Sequence, residues 1–177
     1  MVRYAKANPG KLNYASSSPI ARLSSEALLR ALGVNVVHIP YSSGAPAYQA
    51  IAVGDAHMGF VAEATVVTFG DKMRVIALSG TQRHPDFPNV PTFIELNQPK
   101  ISGINFTLNA RAGTPRAVQD KLHEAAARAL RQPGVIEQLG RLKLQVVNEG
   151  PDAAGKRLAA IGKTFADVAR DIGLKRE

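Results

Sequence analysis

The sequence contains no cysteine and no tryptophan among its 177 residues. The absence of cysteine excludes disulfide bonds and thiolate metal sites, and it fits either an oxidising compartment or a protein that avoids thiol chemistry. No apolar run approaches the roughly 18 residues that a membrane-spanning helix requires. With 45% apolar and 20% charged residues, the composition predicts a globular chain that forms one compact domain or two small lobes.

The positive charge of the chain is not clustered. The formal net charge is +8 at pH 7, from 22 lysine and arginine residues against 14 acidic ones. Several basic residues stand at helical pair spacing with acidic residues. These pairs are Arg116 with Asp120, Glu124 with Arg128, and Lys163 with Asp167. The few aromatic residues are not interleaved with arginines as a base-stacking platform requires. The pattern argues against nucleic-acid binding, whereas the net charge favours the gathering of small anions.

The sequence also lacks the residue patterns of an enzyme or of a metal site. The histidines are far apart, without metal-ligand spacing. They are His38, His57, His84 and His123. There is no Gly-x-Ser-x-Gly motif and no phosphate-loop spacing of glycines, and nothing places the carboxylates of Asp55 and Glu63 across a bond to be cleaved. We therefore expect no enzymatic activity, no cofactor and no metal.

Short β-rich runs alternate with amphipathic helical runs in the first half, which is typical of an α/β protein with a parallel sheet. The predicted strands are 12–15, 34–39, 57–61 and 73–79. The predicted helices are 20–31, which ends before Gly33, and 47–53. The proline-rich segment 80–91 is predicted to be an ordered surface loop.

The second half is predicted to be mainly helical. Segment 101–110 has the pattern of an extended strand, and Thr114 and Pro115 then stand as the N-cap and the first residue of a long helix. That helix is expected to end before Pro133. The remaining predicted elements are a helix at 135–140, a strand at 143–147 and a helix at 152–172.

The most informative segment runs from Leu12 to Pro19 and reads as a strand followed by three serines and a proline. Ser18 stands where a helix N-cap would lie, and Pro19 stands at the first helical position, where its missing N–H costs nothing. The free N–H groups of the first helical turn can bind a carboxylate or a phosphate. The alternative is that the hydroxyls only cap the helix and fill the turn.

Several segments match one known family in the same order along the chain. Residues 4–17 read Tyr-Ala-Lys-Ala-Asn-Pro-Gly-Lys-Leu-Asn-Tyr-Ala-Ser-Ser. The further matching segments are 37–41 with 43–47, Pro-Asn-Val-Pro-Thr at 88–92, Ala-Gly-Thr-Pro at 112–115, and the ending 169–177. Together they resemble the tripartite tricarboxylate transporter solute receptors, also called Bug or TctC-like receptors. The resemblance spans the chain from Tyr4 to its last residue.

The resemblance implies a type II periplasmic binding fold whose two lobes close on a small carboxylate. It implies delivery of that ligand to a membrane transporter in the periplasm, without catalysis. Helix N-termini, backbone amides and ordered water would hold the ligand carboxylates. The residues implied to face the ligand lie in the serine turn and in the following Pro-Tyr loop. They are Ala15, Ser16, Ser17, Ser18, Tyr41, Ser43, Gly44 and Ala45.

Two departures from the family pattern affect the expected site. Arg22 stands in place of a family histidine, in a turn that is shorter and free of glycine. It is a candidate contact for a ligand carboxylate, and the alternative is a solvated helix residue. After the strand residues 57–60, residues 61–63 read Val-Ala-Glu where many members carry an acidic or amide residue, so we expect polar ligand contacts to be lost there.

The match begins part-way along the family pattern, without the family's signal sequence and first-lobe loop. We expect one nearly complete lobe plus the C-terminal part of the other. Residues 1–103 would form the second, ligand-binding lobe, and residues 104–177 the hinge return and the C-terminal helices of the first lobe. Without an export signal, the chain as written would stay in the cytoplasm. An exposed apolar surface on 104–177 is expected, and with it a homodimer, a domain swap or a complement from another chain.

Three functional classes remain open from the sequence. They are a solute-binding receptor for a small carboxylate, a non-binding remnant that acts as an oligomerising or interaction module, and an effector-binding domain of a transcription regulator. The same fold serves all three, so the fold alone does not choose among them. The regulator would need a DNA-binding helix-turn-helix, and the sequence contains none. The ligand itself is not named by the sequence, because amides at helix ends recognise carboxylates generically.

Overall fold

The computed structural model describes residues 1–98, 101, 106–144 and 146–174. The chain forms two compact units. The first comprises Met1–Ile104 together with Lys163–Glu177, and the second comprises Asn105–Gly162. The assignment of sequence segments to two lobes of a binding protein stays a prediction. None of the described helices is long and apolar enough to cross a membrane.

The first unit is built on a parallel three-stranded sheet in the order β2-β1-β3. Its strands are β1 (Asn13–Ser16), β2 (Val37–Pro40) and β3 (Met58–Gly59). Its helices before residue 98 are α1 (Val2–Ala7), α2 (Pro19–Leu32), α3 (Gly44–Val53) and α4 (Glu63–Phe69), followed by a 3₁₀ turn at Gly70–Lys72. The predicted α/β class with a parallel sheet is confirmed, and each strand lies within three residues of its predicted start.

The ends of α2 follow from the sequence. Ser18 has extended backbone angles and its Oγ accepts a hydrogen bond from the N–H of Ala21 at 3.2 Å, while Pro19 is the first helical residue. At the other end, Gly33 adopts φ 62°, and its N–H is bonded to the carbonyl groups of Leu29 and Arg30. A left-handed residue at this position favours glycine because a side chain would be strained there. Both predicted ends of this helix are confirmed.

Helices pack on both faces of the sheet because successive side chains of a strand point in opposite directions. Tyr14 faces a cluster with Ala5, Leu29 and Val36, whereas the next residue, Ala15, faces a second cluster. The second cluster consists of Ala15, Ala47, Ala50 and Ala56, with the partly buried side chains of Tyr41, Tyr48 and Ile51 around it. Small alanine side chains let α3 pack closely against β1.

The remainder of the first unit departs from the predicted pattern. The strand predicted at 73–79 is wrong, because this segment forms only an isolated parallel bridge between Leu78 and Thr92. The bridge places Phe93 in a third cluster with Leu28 and with Val168 of helix α7 (Pro151–Asp171). Segment 80–91 consists of turns and bends, as its prolines predict.

The second unit contains α5 (Arg116–Ala129), α6 (Pro133–Arg141) and the first part of α7. The N-cap of α5 is Pro115, so the prediction of Thr114 as N-cap is wrong by one residue; the Thr114 hydroxyl instead donates to the carbonyl of Arg111 at 2.7 Å. No strand forms among the described residues of the segments predicted at 101–110 and 143–147. Residues 102–105 and 145 lie outside the described residues.

Ion pairs on the helices partly follow the predicted spacing. Arg116 bonds to Asp120 at 2.8 Å, and Arg128 lies 3.9 Å from Glu124. Asp167 is paired with Arg170. Within the described part of the second unit, Ala127 is the only buried apolar side chain, whereas Phe106 and Leu108 are 78% and 73% exposed. The exposed apolar surface expected on this segment is therefore present.

Candidate functional site

The three parallel strands end at one edge of the sheet. In the register of the sheet, Ser16 at the end of β1 lies opposite Pro40 at the end of β2, and Ala15 lies opposite Gly59 at the end of β3. The following loops lead into α2, α3 and α4. In open α/β sheets, ligands bind outside the carboxyl ends of the strands. The predicted site residues lie in the first two of these loops or next to them. Ala15 and Ser16 end β1, Arg22 is on the first turn of α2, and Gly44 and Ala45 begin α3.

The three serines after β1 have different surroundings. Ser16 is buried, and its Oγ is hydrogen-bonded to Nε2 of His38 at 2.8 Å. Ser18 is exposed and caps α2 through its bond to Ala21. Ser17 is half-buried, and its hydroxyl has no hydrogen-bond partner in the part of the chain that the structure describes. The Ser18 hydroxyl is therefore used in capping and the Ser16 hydroxyl in the bond to His38. Of the three serines, Ser17 has the hydroxyl without a partner among the described residues.

The loop between β2 and α3 is tied to the serine turn. The N–H of Tyr41 donates to the carbonyl of Ser16 at 2.9 Å, and the Tyr41 ring packs against the alanine cluster under α3. Ser43 is the N-cap of α3, but its side chain makes no capping hydrogen bond. The N–H groups of Gly44 and Ala45 therefore have no acceptor among the described residues, which leaves this helix N-terminus open to an anion.

Arg22 lies on the first turn of α2, over a group of polar side chains. Its Nε is buried and has no hydrogen-bond partner among the described residues. Beside it, the fully buried Tyr14 donates its hydroxyl proton to Oε1 of Glu26 at 2.6 Å, and the Tyr14 ring stacks on His38 at 4.9 Å between centroids. Arg22 thus places a positive charge next to Tyr14 and His38, and its buried Nε is unpaired among the described residues.

Burial and the Arg22 charge shift the titration of this group. Burial raises the pKa of Tyr14 well above its ordinary value, and the adjacent Glu26 carboxylate raises it further. Burial is the main cause that lowers the pKa of His38. The positive charge of Arg22 lowers this pKa further, and the negative charge of Glu26 opposes the shift. His38 is consequently neutral at pH 7, and Tyr14 is protonated. A neutral imidazole can accept or donate one hydrogen bond at Nε2.

The third loop offers mostly apolar groups. Residues 60–62 are Phe, Val and Ala, and Ala62 makes no side-chain capping bond to α4. A shallow groove of about 590 Å³ lies between α3 and α4 and begins at Ala45. Its apolar lining residues include Pro46, Tyr48, Ala64 and Phe69. Within the described ranges there is no group of three or more potential metal ligands.

The comparisons with known proteins decide the family. The model of the tripartite tricarboxylate transporter family receptor matches residues 1–164. The chain belongs to this receptor family. The UPF0065 protein in the gbd 5′ region of Cupriavidus necator is 36% identical to this chain over 150 residues, which make up 81% of this chain and 45% of that protein. This chain thus spans about half the length of that curated relative.

Solved structures show the receptor fold. R. palustris Rpa4515 with adipate has a TM-score of 0.72 and 24% identity, and the match covers 97% of this chain and 59% of that one. A structure of a periplasmic transporter has a TM-score of 0.70 and 27% identity, and the match covers 97% of this chain and 58% of that one. This chain therefore has the type II periplasmic binding protein fold, and it matches about three fifths of the length of each of these structures.

Sequence reasoning missed the group formed by Tyr14, Glu26 and His38 beneath the site. One signal for it was present, since Arg22 and Glu26 stand at i and i+4 on α2 and so share a helix face. A second was the alternation of Tyr14 and Ser16, which places both side chains on one face of β1. The side-chain hydrogen bond between Ser16 and His38 joins the neighbouring strands β1 and β2, so no local sequence pattern indicates it.

Proposed function

We propose that this chain is a solute-binding receptor for a small carboxylate, which it delivers to a tripartite tricarboxylate-type membrane transporter. The observation that carries this proposal is the convergence of two polar loops at the carboxyl edge of the sheet, in a chain of this receptor family. The serine turn supplies Ser17 and the first turn of α2 supplies Arg22. The adjacent loop leads to the free amides of Gly44 and Ala45 at the start of α3. These groups are all hydrogen-bond donors, as a carboxylate requires.

The proposed ligand class is a dicarboxylate with a short carbon chain. Rpa4515, which shares this fold, was solved with adipate. One carboxylate would lie at the N-terminus of α3 and beside Arg22, and the apolar groove that begins at Ala45 would accept part of the carbon chain. The formal net charge of +8 also favours the approach of a dianion.

We assign no catalytic activity to the chain. Ser16 and His38 have the 2.8 Å separation of a nucleophile and its base. However, Ser16 is only 6% exposed, and within the described ranges no carboxylate is hydrogen-bonded to His38 as the third member of a triad. A role in packing and orientation accounts for this pair without chemistry.

We propose the periplasm as the place of action and the transporter's membrane subunits as the partners. The support is the family match and the likeness to a periplasmic transporter. A second candidate function, an oligomerising or interaction module, is favoured by the exposed side chains of Phe106 and Leu108. A homodimer or a domain swap would cover such a surface.

A thermal-shift screen against adipate and related di- and tricarboxylates tests the binding proposal. A ligand at one hundred times its dissociation constant is expected to add about 2.7 kcal/mol to the free energy of unfolding. For a chain of this size, that addition raises the melting midpoint by roughly 5 to 10 °C. Adipamide is the matched control, since it keeps the length of adipate but carries no charge. A cooperative melt with no shift for any carboxylate would contradict ligand binding and favour the interaction module.

The substitution Arg22→Gln tests the proposed carboxylate contact. Because a hydrogen bond to a charged group contributes about 1.5 to 3 kcal/mol, the affinity for adipate is expected to fall by about ten- to hundredfold. Isothermal titration calorimetry measures this change. Arg30→Gln is the matched control: Arg30 lies on the same helix but pairs with Asp171 and is 43% exposed in its side chain. An equal loss in both variants would indicate a diffuse charge effect rather than a contact by Arg22.

A further inference from the structure

The end of β1 is joined to β2 by the last backbone hydrogen bond of the sheet ladder and by one side-chain contact. The side-chain contact is the hydrogen bond between Ser16 Oγ and His38 Nε2 at 2.8 Å. The backbone contact is the N–H of Tyr41 donating to the carbonyl of Ser16 at 2.9 Å. Ser16 begins the serine turn, and Tyr41 begins the loop that leads to α3. One residue on β1 therefore fixes both loops of the proposed site relative to each other.

His38 is itself held in place from the side of α2. Its ring stacks on Tyr14, the residue directly opposite it in the ladder, at 4.9 Å and with 29° between the planes. Tyr14 is fully buried and is fixed by its 2.6 Å hydrogen bond to Glu26. A continuous set of contacts thus runs from Glu26 through Tyr14 and His38 to Ser16. The imidazole has little freedom to turn away from the Ser16 hydroxyl.

We propose that His38 is a positioning residue for the carboxylate site, which holds the serine turn and the β2–α3 loop in register through Ser16. This inference rests on the proposed function, because it assigns His38 a part in that site. With both loops aligned, Ser17 and Arg22 face the same ligand as the free amides of α3. Without the side-chain bond, the buried Ser16 hydroxyl loses its partner, and only the backbone pairing of β1 with β2 holds the two loops in register.

The alternative is that His38 only fills space against Tyr14. Two substitutions separate these roles. His38→Gln removes the ring but keeps an amide that can reach Ser16 in place of Nε2, whereas His38→Phe keeps a stacking ring but has no polar atom. A positioning role predicts that glutamine rescues the site and phenylalanine does not. A packing role predicts the reverse order.

Amide hydrogen exchange measured by NMR on the ligand-free chain gives the first readout. The Tyr41 amide reports on its bond to Ser16, and the Val34 amide, bonded to the Leu29 carbonyl, reports on unfolding of the same unit. Loss of one hydrogen bond is expected to lower the protection of Tyr41, relative to Val34, by about five- to tenfold in His38→Phe. In His38→Gln the loss should stay below about twofold. Adding Ser16→Ala to His38→Phe should not lower the protection of the Tyr41 amide any further, because both changes remove the same hydrogen bond.

His57→Phe is the matched control. His57 also adjoins the sheet, but its Nδ1 lies 2.7 Å from Oδ1 of Asn13 at the opposite, amino-terminal end of β1. The His57→Phe substitution should leave the hydrogen-exchange protection of the Tyr41 amide unchanged. Unchanged protection in His38→Phe, or equal losses in the glutamine and phenylalanine variants, would overturn the positioning role.

Calorimetry with adipate gives the second readout. The affinity is expected to fall about five- to tenfold in His38→Phe and to be retained in His38→Gln. Unchanged affinity in His38→Phe overturns the part assigned to His38 in binding. If the unsubstituted chain binds no carboxylate, the proposed function fails, and the role of His38 in ligand binding fails with it. The hydrogen-exchange data still decide whether His38 aligns the two loops.

Discussion

Replacing Tyr14 by alanine is expected to destabilise the first unit by about 3 to 5 kcal/mol, the usual cost of removing a buried aromatic ring. Tyr14 is fully buried in the middle of the central strand, where it contacts side chains from α1 and α2. The substitution leaves a cavity beside His38, and it also removes the hydroxyl that donates to Glu26. Urea unfolding monitored by circular dichroism measures the loss of stability.

Two further substitutions separate the contributions of the ring and of the hydroxyl. Tyr14→Phe keeps the ring and should cost about 1 to 3 kcal/mol, because Glu26 loses its hydrogen bond. Tyr4→Ala is the matched control: Tyr4 lies in the same unit but is 54% exposed, so the expected change is within about 0.5 kcal/mol. A Tyr14→Ala variant as stable as Tyr4→Ala would show that the core under α2 does not depend on this ring.

Features with a local cause could be predicted from the sequence. Ser18 and Pro19 specify the start of α2, because a hydroxyl can accept a first-turn N–H and proline needs no partner there. Gly33 specifies its end, because the left-handed conformation favours glycine. The parallel sheet also follows from the alternation of strands with helices. In each case the decisive interaction lies within a few residues along the chain.

Features with a distant cause could not be predicted in the same way. The segment at 73–79 has strand-like residues, yet it forms a single bridge at Leu78, because a strand requires a partner that its own residues do not specify. One feature with a local cause is also predicted wrongly: Thr114 has the chemistry of an N-cap, but its hydroxyl bonds to Arg111 and Pro115 takes the N-cap position. The first residue of such a helix depends on the backbone angles of a single residue, which the sequence pattern does not specify.

The candidate site shows the same division. The sequence places three hydroxyls before α2, but it does not tell which of them is free. Ser18 is used by its own helix, an interaction over three residues, whereas Ser16 is used by His38, 22 residues away. Only the second interaction needs the fold. The free hydroxyl of Ser17 therefore emerges only when the strand pairing is known.

Replacing Gly59 by alanine is expected to destabilise the carboxyl edge of the sheet by about 1 to 3 kcal/mol, the usual cost of overpacking. A Cβ at this position would lie 2.9 Å from the carbonyl oxygen of Ala15 and 2.8 Å from Cδ1 of Ile51. The tip of Ile51 can turn away, but Ala15 is held in the central strand between β2 and β3. The added methyl group must therefore push β3 away from β1, which thermal unfolding would detect as a lower midpoint.

Gly155→Ala is the control of opposite sign. It adds the same methyl group inside α7, where no other atom of the described residues lies within 4 Å apart from the adjoining backbone of its own helix. It should be neutral or should stabilise the chain by about 0.5 to 1 kcal/mol, since alanine is the better helix former. Because β3 leads into α4, which lines the groove proposed for the carbon chain, the displacement of β3 in Gly59→Ala should also weaken adipate binding more than Gly155→Ala does. A Gly59→Ala variant with unchanged stability would mean that β3 is not held against the carbonyl of Ala15, and that the third loop is placed independently of the first two.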